Sequence, residues 1–137
     1  MSGTELSLPN DCPPTSSRPP AGTYYRLVGG HLRVGESVPA EDWTLPLRKC
    51  KGECAERADR YDVCECFAHS IFADANDLME GRKTSSWARG KAIAQVELWH
   101  DMGRIEPTYA DLGSSHHEWW PSPLDLIPQA VVMQDKT

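Results

Sequence analysis

The chain has 137 residues, 20 of them acidic and 14 basic; its formal charge of −6 and pI near 5.3 leave room for one domain and exclude an extensive nucleic-acid surface. Leu, Ile, Val and Phe number 24, below a fifth of the chain, so a core can form only where they concentrate. There is neither a run of 18 apolar residues nor a cationic leader before an apolar stretch, which sets the expectation of a soluble, cytoplasmic protein with no membrane partner.

Residues 1–22 hold five of the eleven prolines, with Leu6 and Leu8 as the only large aliphatics. Such a segment buries too little apolar surface to offset its conformational entropy, and it reads as a disordered Pro-rich tail. Residues 23–137 carry every Trp, Tyr and Phe and read as a single globular domain.

Within it, Thr23 to Val28 is β-branched and aromatic and ends at Gly29-Gly30, which predicts a strand, with a short extended piece over His31 to Val34. Ser37, Pro39, Glu41 and Asp42 have helix-start chemistry, and Pro46 limits that helix to about two turns. Glu53 to Tyr61 predicts a second short helix and Val63 to Phe72 a buried strand. Asp74 is an N-cap for a helix to Glu80, with Gly81 placed as its C′ residue. Ala92 to Trp99 alternates apolar with mixed positions and predicts a strand that turns over residues 100–103. Arg104 to Tyr109 is expected to return antiparallel to it, and Gln129 to Met133 is a last short strand. The fold class is α+β, a small antiparallel-rich sheet of about five strands with two or three short helices.

Cys50, Cys54, Cys64 and Cys66 fall within 17 residues, followed by His69, while Cys12 lies in the tail. A reducing compartment disfavours a disulfide framework, and four clustered thiolates suit tetrahedral zinc. The alternative is that Cys64 and Cys66 are small buried hydrophobes on one face of a strand.

Two further segments carry chemistry. His116-His117-Glu118 beside Trp119-Trp120, with His100 in the preceding turn, offers an acid–base or metal-ligand set walled by aromatic rings; the alternative is a loop whose tryptophans plug a core short of aliphatics. Arg82, Lys83, Arg89 and Lys91 surround Trp87 without an acid between them. Phosphate on the cations and a base on the indole would form a substrate site, to which Trp120 is added as a wall; the alternative is a solvated loop.

Arg26 on the first strand, Thr84-Ser85-Ser86 and Gln95-Val96-Glu97 follow in an order that resembles the arginine, S-T-S and Q-x-E motifs of mono-ADP-ribosyltransferases. The resemblance covers three short motifs, with Ser85 in place of the central threonine and Gln95 only nine positions after Ser86. It implies that Arg26 holds an NAD pyrophosphate, Ser85 orders the site and Glu97 stabilises a ribosyl cation. No complete catalytic motif is present, so the leading expectation is a small binding or regulatory protein with an unidentified protein partner, its Cys cluster able to take zinc. The competing expectation is a small enzyme acting on a nucleotide-like or phosphorylated ligand, either of ADP-ribosyl-transfer type or a metal-dependent hydrolase. Its candidate catalytic residues are Arg26, Glu97, His100, His116, His117 and Glu118.

Overall fold

A computed structural model describes residues 8–45, 63–108 and 110–136. Their strands are β1 (Gly22–Val28), β2 (His69–Phe72), β3 (Ala92–Leu98), β4 (Gly103–Pro107), β5 (His116–Pro121) and β6 (Gln129–Gln134). The helices are α1 (Ala75–Thr84) and α2 (Ser86–Arg89), with 3-10 turns at Ala40–Trp43 and Val63–Phe67. All strand pairs are antiparallel, in the order β4-β5-β2-β1-β3-β6. The α+β class holds, with six strands among the described residues.

The central junction is thin. β1 pairs with β3 along its whole length, whereas β1 and β2 share the single registered pair Tyr25↔Phe72. The halves β4-β5-β2 and β1-β3-β6 are therefore hinged at one point. In a flat sheet, β3 and β4 would lie four strand spacings apart, about 19 Å. Yet a tight turn joins them, closed by Met102 N–H donating to the Trp99 carbonyl at 3.0 Å, and such a turn spans less than about 7 Å. The sheet must curl until its halves face each other.

Between them lies the main core: Tyr24 and Val28 of β1, Ile71 of β2, Ala94, Val96 and Leu98 of β3, Ile105 of β4, Trp119 of β5 and Val132 of β6, closed by Trp43. The indole of Trp119 stands edge-on to that of Trp43 at 5.8 Å. Helix α1 covers the outer face, setting Leu78 against Phe72 and Ile93. Asp74 caps this helix as expected, its carboxylate accepting from Asn76 N–H at 2.9 Å. The helix runs past Gly81 to Thr84. Gly81 is a packing residue rather than a terminator, since a Cβ there would meet Leu112 Cδ2 at 2.6 Å.

Several sequence expectations change. Arg104 to Pro107 pairs with β5 and not with β3, because the turn at residues 99–102 crosses the open end of the curled sheet instead of closing a hairpin. Val63 to Phe72 divides into a 3-10 turn and β2. The helix-start chemistry at residues 37–42 yields one 3-10 turn, and His31 to Val34 is turn rather than strand. Residues 116–121, read as a loop, form β5, buried on both faces and so without the polar alternation that marks a strand. The expected helix at Glu53 to Tyr61, Cys50 and Cys54 lie outside the described residues.

Residues 8–22 of the Pro-rich segment are among the described residues. The segment meets the β4 edge at Arg18, which exchanges backbone hydrogen bonds of 2.9 and 2.7 Å with Ile105. Arg104 Nε donates to Ser17 Oγ at 2.9 Å, and Pro20 is buried. Proline suits this edge, which asks for few N–H donors. The opposite edge, β6, is covered by residues 35–38, with Gly35 and Val38 donating to the carbonyls of Val132 and Ala130. Among the described residues no helix is long and apolar enough to cross a membrane.

Gly103 begins β4 at φ +118°, and a Cβ there would overlap the Trp120 carbonyl. Gly103→Ala is expected to lower stability by about 2–3 kcal/mol through backbone strain and loss of close strand approach, read from the midpoint of urea unfolding.

Candidate functional site

The parting of β1 and β2 is filled by a side chain. Arg26 projects from β1 toward β2, and its Nη1 donates to the Ser70 carbonyl at 2.8 Å while Nη2 donates to the Asp42 carbonyl at 3.0 Å. The guanidinium lies 4.7 Å from the centre of the Trp43 ring. One backbone acceptor left open by the diverging strands and one in the 3-10 turn Ala40–Trp43 are thus satisfied by a cation, which also lies over an aromatic face. Burial draws the Arg26 pKa down to about 10, opposed by the charge of Asp42, so the group stays cationic at neutral pH.

Beside Arg26 opens a cleft of about 840 Å³, within the range of small-molecule sites. One wall is β1 and β2, with Arg26, Leu27, Ala68, His69, Ser70 and Phe72. The facing wall is the junction of α1 and α2, with Thr84, Ser85, Ser86, Trp87 and Lys91. Ala110, Asp111, Leu112 and His116 close one end. Trp87 is 62% exposed, so a large indole face stands open at the cleft.

The structure sorts the basic segment that the sequence treated as one patch. Lys91 and Trp87 reach the cleft. Arg82 does not: it is buried, with Nη1 donating to the carbonyls of Lys91 and Asp135 at 3.1 and 2.7 Å and Nη2 to Gln134 Oε1 at 2.7 Å. Burial lowers its pKa, and its role is to tie α1 to the end of β6. Lys83 pairs with Glu80 on the solvent side of α1 at 3.0 Å, and Arg89 Nε donates back to the Arg82 carbonyl at 3.4 Å. Trp120 is buried in a separate cluster with Phe67 and Ala68, its indole N–H donating to the Cys64 carbonyl at 2.9 Å.

Nor do the histidines converge. Neighbours on a strand point to opposite faces, so His116 lines the cleft while His117 turns into the core beside Tyr24, at 6.1 Å. His117 Nδ1 lies 2.7 Å from the Ser115 carbonyl and must donate to it. His100 is exposed in the turn before β4, beside the Pro121 end of β5 and remote from His116 at the other end. Glu118 sits in the ladder between Ser70 and Glu106. Glu97 pairs with Thr23, whose hydroxyl donates to it at 3.0 Å. That places it four positions, about 13 Å, along the sheet from the Leu27↔Ile93 pair at the cleft. Of the residues named by the transferase resemblance, Arg26 and Thr84-Ser85-Ser86 share the cleft and Glu97 is absent from it.

The cysteine expectation is divided likewise. Cys64 is disulfide-bonded to Cys12, with Cα atoms 5.6 Å apart, and Cys66 is a half-buried thiol. Cys64 is thereby committed to a partner in the Pro-rich arm, and among the described residues no group of three or more His, Cys, Asp or Glu is placed to hold a metal.

Sequence reasoning missed Thr44, Ser70 and Asp111 as cleft residues. Nothing local marks them, since each reaches the cleft only through strand pairing or loop return. Compared with protein-family models, curated proteins and solved structures, the chain matches none.

Two outcomes follow from this geometry. Arg26→Met removes the donors to two carbonyls, and guanidinium chloride unfolding should register a loss of about 3 kcal/mol. His116 has its pKa lowered, chiefly by burial and further by His117, against a raising contribution from the Thr108 carbonyl. A folded-state pKa below the ordinary value near 6.5 means that the unfolded chain binds the proton more readily. Stability is therefore full above that value and falls as pH drops through it toward the lowered pKa. Melting temperatures measured from pH 8 to 5 should show this fall, and His116→Asn should flatten it.

Proposed function

We propose that the protein binds a small phosphorylated, nucleotide-like ligand in the cleft between β1, β2 and the α1–α2 junction, and that it acts as a binding or regulatory protein. The observation that carries this reading is the composition of that cleft: the cations Arg26 and Lys91, the hydroxyl residues Thr84, Ser85 and Ser86, and a widely exposed Trp87 around one volume. In an acidic chain, two cations beside hydroxyl donors favour an anion, for which phosphate is the chemical match. Trp87 offers a face on which a base or another flat ring can stack. Lys91 supplies a mobile charge at the rim, while Arg26, already committed to two carbonyls, supplies a fixed positive field.

A second reading, transfer of an ADP-ribosyl group, draws on Arg26 and Thr84-Ser85-Ser86 lining the same cleft. Glu97, the carboxylate that this reading requires, lies outside the cleft, so binding is preferred to catalysis.

Scanning calorimetry of the protein with ADP-ribose, NAD, AMP or inorganic phosphate tests the proposal. A nucleotide at one hundred times its Kd stabilises by about 2.7 kcal/mol and raises the melting temperature by several degrees. Trp87→Ala should weaken nucleotide binding about tenfold with little effect on inorganic phosphate, whereas Lys91→Ala should weaken both. An unchanged melting temperature with every phosphorylated compound would remove the cleft as the functional site and move attention to protein partners.

A further inference from the structure

The Cys12–Cys64 bond joins two parts of the chain that the rest of the fold holds unequally. Ser17 and Arg18 are secured on β4 by backbone hydrogen bonds and by Arg104. Residues 8–16 have fewer ties. Leu8 and Cys12 pack on the Cys64, Phe67 and Trp120 cluster, and Ser16 donates to Glu106. Leu8 and Pro13 line a groove of about 330 Å³ together with Trp120, Pro121 and Leu124. The other end of the disulfide is in the 3-10 turn Val63–Phe67, which leads into Ala68. That residue packs in the Trp120 cluster and also lines the large cleft.

From this arrangement we propose that Cys12–Cys64 is a reversible thiol–disulfide exchange site, a clasp whose redox state governs whether residues 8–16 stay packed against the Trp120 cluster and how firmly the β2 wall of the cleft is held. Cys12 is half-buried and Cys64 buried, so a small dithiol meets the Cys12 sulfur first. Its thiolate attacks Cys12 Sγ, the Cys12–Cys64 bond breaks, and the Cys64 thiolate leaves. The second thiol of the reductant then displaces Cys12 and closes the reductant's own disulfide. Two electrons pass to the protein, and the two protons of the dithiol end on Cys12 and Cys64. Re-oxidation by a small disulfide reverses each step. The clasp closes a loop of 52 residues, which the folded state must otherwise close unaided.

The test uses the full chain in oxidised and dithiol-reduced forms. Peptide mapping without reductant should find Cys12 linked to Cys64 after oxidation by a small disulfide. Reduction should lower the melting temperature by on the order of 10 °C. It should also speed amide hydrogen exchange at least tenfold over residues 10–16 and measurably over residues 68–72, leaving β3 unchanged. Cys12→Ser should behave as the reduced protein in both forms. Finding Cys12 free or bonded to another cysteine would overturn the proposal, as would equal exchange over residues 10–16 in both states. A dithiol response that persists in Cys12→Ser would assign the effect to other cysteines and overturn it equally. None of these readouts depends on the cleft ligand.

Discussion

Arg26 stands where two strands of an antiparallel sheet would otherwise exchange backbone hydrogen bonds, and the rest of the molecule follows from that substitution of side chain for ladder. Past Tyr25↔Phe72 the strands diverge, and the carbonyl of Ser70 would be left without a donor. A guanidinium can satisfy two carbonyls in different directions through a planar fork that stacks on an indole, a geometry that the compact ammonium of a lysine does not offer. The divergence lets the sheet curl into two facing halves and enclose a core. It also leaves a wedge on the outer side, which becomes the cleft.

The chemistry of that cleft depends on which polar groups the fold has already used. Arg82 is buried and Arg26 half-buried, and only Arg26 borders open volume. His116 and His117 differ in the same way, one bordering the cleft and the other hydrogen-bonded to Ser115 inside the core. A cluster in sequence has been distributed among separate structural tasks, and the cleft combines the cations Arg26 and Lys91, several hydroxyl side chains and the exposed Trp87 with apolar residues and the carboxylate of Asp111.

The Pro-rich arm has little apolar content of its own. It is held by attachment rather than by a core of its own, through a backbone bridge at Arg18, the hydrogen bonds of Arg104, a buried Pro20 and a covalent bond at Cys12. Composition alone weighs only what a segment can bury by itself. It does not register an edge strand that already offers donors and acceptors.

Local patterning by itself determined β1, β3, β6 and the capped start of α1, because each is specified by alternation or by a capping carboxylate within a few residues. It also drew attention to residues 82–91, five of which, Thr84, Ser85, Ser86, Trp87 and Lys91, line the cleft. Only the tertiary structure decided that β4 joins β5 across the curl, that adjacent His116 and His117 part company, and that Glu97 lies away from Arg26 and Ser85. Strand order and curl arise from contacts between distant residues, and a side chain's freedom to meet a ligand depends on which backbone groups elsewhere it must first satisfy.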